Sequence, residues 1–216
     1  MGVKKGLFKY DVSRFEHAKT SPEPEFIAFL SSMDKRGRML DIGCGVGLES
    51  DFAHSLGFEV TGIDKDYGAI RKAKDLNNKV DFRQIDFFNY IKNVPMNEFT
   101  VIVDSKFSNK LIFPQLKKYY SRIAKALDHN GYLYLQVLST TDKYCKEHCP
   151  QRRWTKVEDF YVRYFSKQEL MVLLRLTGLN IEKFKTIKQT YRIEGEDDRE
   201  ETYHIVIAKQ TIKKFL

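Results

Sequence analysis

Chemistry in this chain is most plausible around one glycine-rich run and a series of carboxylates. Met39-Leu40-Asp41-Ile42-Gly43-Cys44-Gly45-Val46-Gly47 passes from apolar residues into glycines at alternate positions. That spacing lets a chain turn sharply and bring its N–H groups against a ligand. A helix starting directly behind the turn would aim its positive dipole end at the same spot. Asp64 follows the loop by about 20 residues, the separation at which an acid meets a ribose in a strand–turn–helix–strand unit. A carboxylate can accept both hydrogen bonds of a vicinal diol. Asp104 closes another apolar run, at a strand end next to where a substrate should lie. Tyr144, Trp154 and Tyr161, together with Arg152-Arg153, would make a pocket for a substrate, with Tyr10 and Phe107 as further aromatic candidates. Cys145, His148 and Cys149 carry metal-ligating groups, but no second ligand pair stands elsewhere, since Cys44 belongs to the glycine loop. No metal site is expected, and a redox pair is the other reading of the two thiols.

The elements that must position these residues follow from periodicity. Residues 38–42 read as a strand and 46–56 as a helix with Leu48, Phe52 and Leu56 in step, closed by Gly57. A second strand ends at Asp64, a helix spans Tyr67 to Leu76, and 79–84 alternates as a third strand. Phe99 to Asp104 is apolar on both faces, as a central parallel strand is. Pro114 opens a helix to Leu127, a turn over 128–131 follows, and Tyr132 to Leu138 is a fifth strand. Ser166-Lys167-Gln168-Glu169 is a capping box before another helix. Asn180–Ile187 and Tyr203–Ala208, joined by the charged turn 194–201, must pair antiparallel. The fold class is therefore α/β: a doubly wound, seven-stranded, mostly parallel sheet ending in an antiparallel hairpin. Residues 1–216 read as one domain. Residues 1–35 are an N-terminal helical extension, its helix capped by Ser21 with Pro22 in the first position, and 139–165 are a long loop over the expected substrate site.

Asp41-x-Gly43-x-Gly45-x-Gly47 after an apolar strand resembles the first motif of the class I S-adenosylmethionine-dependent methyltransferases. The dinucleotide fingerprint fails, because its third glycine falls on Leu48. The resemblance spans residues 36–209, with Asp41–Gly47, Asp64, Asp86 and Asp104 in order, each at a strand end. The N-terminal Pro-rich helix entry and the Phe165-Ser166-Lys167-Gln168-Glu169-Leu170 run resemble the small-molecule types, such as the tellurite-resistance and thiopurine enzymes. The resemblance implies a Rossmann-like methyltransferase fold with S-adenosylmethionine as cofactor and S-adenosylhomocysteine as product. Asp41, Gly43, Gly45, Gly47 and Asp64 would be cofactor-binding residues, Asp86 would hold the adenine amino group, and Phe87 would pack on the ring. A general base is needed only if the attacking atom must lose a proton, and Asp104 is the catalytic candidate, with His148 or a tyrosine of the long loop as alternatives. The family's enzymes for exocyclic base amines carry Asn/Asp-Pro-Pro-Tyr/Phe after the fourth strand; here Ser105-Lys106-Phe107-Ser108 stands there.

Composition bounds the partners. A net charge of +8 admits an anionic partner such as RNA, but the basic residues are dispersed and form no block. A small-molecule methyl acceptor is the expectation. The alternatives are an RNA or protein methyltransferase, and a Rossmann-type nucleotide-binding module without methyl transfer. The sequence has no apolar run long enough to span a membrane and no signal peptide, and its three cysteines suit a reduced, cytoplasmic setting.

Overall fold

The computed structural model describes residues 21–149, 154–157, 160–191 and 199–210. Seven strands form one sheet: β1 (Arg38–Ile42), β2 (Glu59–Asp64), β3 (Asp81–Gln84), β4 (Phe99–Ser105), β5 (Leu127–Leu138), β8 (Leu179–Tyr191) and β9 (Arg199–Gln210), in the order β3-β2-β1-β4-β5-β9-β8. The first five are parallel, β9 runs antiparallel to β5, and β8 antiparallel to β9. The strand order reverses between β1 and β4, and a crevice at the carboxyl ends of the strands is where such sheets take ligands.

Both faces of the sheet are covered. Alternation sends Leu40, Ile42, Ile102, Leu133, Leu135 and Val206 to one face, against helices α5 (Phe113–Ala126) and α7 (Lys167–Leu176). Met39, Val60, Val101, Val103, Tyr134 and Ile205 go to the other, against α1 (Pro24–Ser31), α2 (Leu48–Ser55) and α3 (Tyr67–Leu76). A short helix, α4 (Phe87–Tyr90), follows β3.

Several boundaries differ from the sequence reading, each for a local reason. α1 starts at Pro24 rather than Pro22, with Glu23 as its N-cap and no side-chain cap. The residue before a proline is driven out of the helical region, so Glu23 (φ −61°, ψ 137°) cannot lie inside a helix and the second proline sets the start. α2 starts at Leu48, because Gly47 is left-handed at φ 85°. Its buried face is Glu49, Ser50 and Ala53, while Leu48, Phe52 and Leu56 are half-buried. The turn over 128–131 becomes a bulge inside β5: Phe99 pairs with Leu127 and Val101 with Tyr132, with Asn130 at φ 66°. The charged turn 194–201 lies largely outside the described residues.

The expected loop 139–165 carries elements of its own. Helix α6 (Lys143–His148) and an antiparallel pair, β6 (Trp154–Val157) with β7 (Phe160–Arg163), stand in it. Its ends are fastened together: Phe165 N–H donates to Leu138 O and Thr140 N–H to Phe165 O. Asp142, 2% exposed, caps α6 through Tyr144 N and Cys145 N and also accepts from Thr202 N of β9 at 2.7 Å. Asp142→Ala removes a cap and strands a buried N–H. It should lower the free energy of unfolding by about 1–3 kcal/mol in urea denaturation; a loss under about 0.5 kcal/mol would show that α6 does not depend on this carboxylate.

Candidate active site

The glycine turn leaves β1 at the switch point. Gly43, Gly45 and Gly47 all have positive φ (69°, 54° and 85°), so the loop needs their freedom. Gly43 N–H and Cys44 N–H both donate to Ile63 O, which ties the turn to β2. A Cβ on Gly43 would lie 2.9 Å from the Phe107 ring, whereas one on Gly45 would meet no atom of the described residues within 4 Å beyond its chain neighbours. Gly45 therefore exposes left-handed backbone beside open space, as a loop that cradles a ligand must.

Four carboxylates at four strand ends have different fates. Asp64, at the tip of β2, accepts from Gly45 N at 3.2 Å through Oδ2 and from Asp66 N at 2.9 Å through Oδ1. The structure thus brings together the two features that the sequence set about 20 residues apart. Asp41 is 2% exposed and accepts from Ser50 Oγ at 2.7 Å, so it clamps α2 to β1 from below the loop. Asp86 is exposed and caps α4, its Oδ1 accepting from Phe88 N at 2.8 Å and Asn89 N at 3.3 Å.

Asp104 is fully buried, which corrects its reading as a general base. Its oxygens accept from Ser108 N at 3.1 Å and from Tyr119 OH at 2.8 Å. Burial pushes its carboxyl up to about 6, against the bonds from Ser108 and Tyr119 that favour the ion. A group with no exposed surface cannot reach an acceptor, so Asp104 is a support for the turn that carries Phe107. Phe87 is likewise 1% exposed and packed on Tyr119, with ring centroids 4.6 Å apart. It has no free face for an adenine ring and belongs to the core under the site.

The aromatic candidates divide. Phe107 is half-buried, stacks on Tyr119 at 5.6 Å and touches the place a Gly43 side chain would fill, so it stands at the crevice. Tyr144 instead stacks on His148 at 4.0 Å and packs with Leu138, Cys145, Cys149 and Tyr203. Trp154 and Tyr161 lie on β6 and β7, but their side chains, like Tyr10 and Arg152-Arg153, fall outside what is described. Cys145 and Cys149 are buried while His148 is exposed with its ring on Tyr144, and among the described residues no group of three His, Cys, Asp or Glu is placed to hold a metal ion. Burial pushes the Cys145 thiol up to about 12 and the Cys44 thiol far above its ordinary value, so neither is a ready nucleophile.

One feature at the same sheet edge escaped the sequence reading. Ser105 Oγ donates to Gln136 Oε1 at 3.2 Å, Gln136 Nε2 reaches Gln189 Oε1 at 3.5 Å, and Gln189 Nε2 donates to Glu23 Oε2. The available signal was Gln136, a polar residue inside the apolar run Tyr132–Leu138. Lys106, directly after Ser105, is left-handed at φ 72°. A bulky residue in that region marks a strained position of the kind found at functional sites.

This chain belongs to the class I S-adenosylmethionine-dependent methyltransferases: a family model described as a methyltransferase domain matches residues 15–183, and the sheet has that fold. No curated protein matches the sequence. Among solved structures it is similar to an S-adenosylmethionine-dependent methyltransferase from Methanosarcina mazei, with 20% identity, a TM-score of 0.71 and coverage of 88% of this chain and 99% of that one. It is also similar to the 1,6-didemethyltoxoflavin N1-methyltransferase of Burkholderia thailandensis, solved with 1,6-didemethyltoxoflavin and S-adenosylhomocysteine, at 18% identity, TM-score 0.64 and coverage of 87% and 77%. TehB from Haemophilus influenzae gives 14% identity, TM-score 0.70 and coverage of 89% and 64%. At these identities the likeness shows the fold.

Asp104 makes stability pH-dependent in a defined direction. Its folded value lies above the ordinary 3.8, so between 3.8 and about 6 the folded protein holds a proton that the unfolded chain has released. Its contribution to stability falls as pH rises through that window, by up to about 3 kcal/mol. Asp104→Asn should gain on wild type by that order between pH 4 and 7 in urea melts; a pH-independent difference would show that the carboxyl ionises as it does in water.

Proposed function

We infer that this methyltransferase moves the methyl group of S-adenosylmethionine to a small-molecule acceptor. Bound S-adenosylmethionine supplies a methyl already activated on a sulfonium, so the protein's task is to hold two reactants in line. In this reading Gly45 gives the backbone room that the cofactor needs, and its open space is the observation that carries the assignment. Asp64 takes the ribose hydroxyls while it keeps the loop in place through Gly45 N–H. Asp86 receives the adenine amino group on the oxygen that does not cap α4. Phe107 walls the crevice next to Gly43.

Two observations favour a small acceptor. The chain's own first helix packs on the sheet face that also carries α2, with Phe26 and Phe29 on Tyr134, so the chain itself closes that face. The residues after β4, Ser105-Lys106-Phe107-Ser108, also lack the base-amine motif. A protein of similar fold is a 1,6-didemethyltoxoflavin N1-methyltransferase, solved with 1,6-didemethyltoxoflavin bound. Calorimetric titration should give micromolar binding of S-adenosylmethionine and S-adenosylhomocysteine. Asp64→Ala should weaken both by at least about tenfold, the value of a charge-assisted hydrogen bond. Label from methyl-tritiated cofactor should appear in low-mass acceptors before it appears in RNA. Absence of cofactor binding would overturn the reading, and exclusive labelling of RNA would replace its acceptor.

A further inference from the structure

The hydrogen-bond chain Ser105–Gln136–Gln189–Glu23 has only one possible direction. A carboxylate accepts and does not donate, so Gln189 must present its N–H to Glu23. Its carbonyl oxygen then faces Gln136, whose Nε2 donates at 3.5 Å. Gln136 is left with its own carbonyl toward Ser105, and the Ser105 hydroxyl proton is committed to it at 3.2 Å. Glu23, a residue of the N-terminal segment 4% exposed, thereby fixes two amides and one hydroxyl rotor. What remains of Ser105 Oγ is lone pairs alone.

Ser105 is placed to use them. The register pairs Ile42 with Asp104, so Ser105 is the next residue on β4 as Gly43 is on β1. It is half-buried and followed by the left-handed Lys106, where the chain turns out of β4. Its partner Gln136 is fully buried and sits opposite it in the β4–β5 register. On the same face, two residues earlier, Tyr134 has a buried hydroxyl with no hydrogen-bond partner among the described residues.

We propose that Ser105 Oγ is a dedicated hydrogen-bond acceptor at the methyl-transfer position, held in that state by Glu23 through Gln189 and Gln136, and that the acceptor is a protic nucleophile. The attacking nitrogen or oxygen carries a hydrogen, through which it donates a hydrogen bond to Ser105. As its bond to the methyl carbon forms, the carbon–sulfur bond breaks and the electron pair stays on sulfur as a neutral thioether. The proton left on the methylated atom passes to solvent water. That contact turns its lone pair toward the methyl carbon. Ser105 touches the acceptor; Gln136, Gln189 and Glu23 are positioning residues. A nucleophile without an N–H or O–H, such as a tertiary amine or a thioether, meets an acceptor it cannot satisfy. The proposal rests on the methyl-transfer reading and narrows its acceptor to one chemical class.

The test needs no knowledge of the natural acceptor. Sinefungin is an analogue of S-adenosylmethionine that carries an amine where the cofactor carries its methylsulfonium, so it places N–H donors at the transfer position. Calorimetry on the full chain compares its Kd with that of S-adenosylhomocysteine, which has no such donor. Wild-type protein should prefer sinefungin by about tenfold, the worth of one hydrogen bond from a charged donor. Ser105→Ala should erase the preference with S-adenosylhomocysteine affinity unchanged, and Ser105→Thr, which keeps the hydroxyl, should retain it. Glu23→Gln lets the amides turn over and should leave an intermediate ratio. An unchanged ratio in Ser105→Ala overturns the proposal, and one unchanged in Glu23→Gln overturns the positioning role. Parallel loss of both ligands in Ser105→Ala would make the serine a structural support of the cofactor site, and would overturn it too. If wild-type protein binds neither ligand, the methyltransferase reading itself fails, and this inference with it.

Discussion

The bond from Gly45 N–H to the Asp64 carboxylate is the joint on which the crevice depends. The glycine loop leaves β1 in the left-handed region, where nothing local prefers one path over another. Two amides on Ile63 O and one on Asp64 Oδ2 choose the path, and all three reach the neighbouring strand β2. Asp64 is itself oriented by Asp66 N–H, and Asp66 caps α3 through Ala69 N at 2.8 Å. The loop, the tip of β2 and the start of α3 thus form one hydrogen-bonded unit. Below it, Ser50 on Asp41 fastens the other end of the loop through α2. The backbone of Gly45 can stand beside open space because its neighbours on both sides are held.

Depth along the strand decides what each acid does. Asp41 and Asp104 lie on the adjacent central strands β1 and β4 and are buried under the turns that follow. Each takes side-chain hydroxyl protons, from Ser50 and from Tyr119, because a desolvated carboxylate must be paired. Asp64 is the last residue of β2 and Asp86 lies past the end of β3, both nearer solvent, and they bind backbone N–H groups. Only this second pair retains surface for a ligand. The burial of Asp104 also explains the aromatic cluster below the crevice. Tyr119, bonded to it, carries Phe107 on one ring contact and Phe87 on another, so the carboxylate sets the floor of the site at second hand.

The sheet was legible because its strands carry their own signals. β1 and β4 are apolar on both faces, β2 ends in an acid after a glycine-closed helix, and the last two strands flank one charged turn. The parts that were not legible are those fixed by long-range contacts. α6 depends on Asp142, which also holds Thr202, 60 residues away. The rest of the 139–165 segment is closed by backbone bonds between its own ends. Asp104 reads like the other strand-end acids until Tyr119 is known to lie on it, and periodicity does not report how deep a strand end sits. Gln136 was visible as a polar break, but its meaning required Ser105, Gln189 and Glu23, brought in from both ends of the chain.

That last arrangement bears on how the acceptor side is covered. α1 is held to the sheet by apolar contacts, Phe26 edge-on to Tyr134 at 5.1 Å and Phe29 stacked on it at 5.8 Å. Such contacts fix a helix against a face but tolerate sliding along it. The polar contacts remove that freedom: Glu23 meets Gln189, and Glu25 meets Lys185 and Lys183, all on the edge strand β8. The lysines hold the Glu25 carboxyl below its ordinary value, yet these exposed pairs are worth well under about 1 kcal/mol each. Their value is in register. A shift of α1 by one residue would carry Glu23 away from Gln189 and release the amide chain that ends on Ser105. The helix before the first strand and the edge strand after the last helix, distant in sequence, are therefore mechanically one part with respect to the residue that faces the crevice.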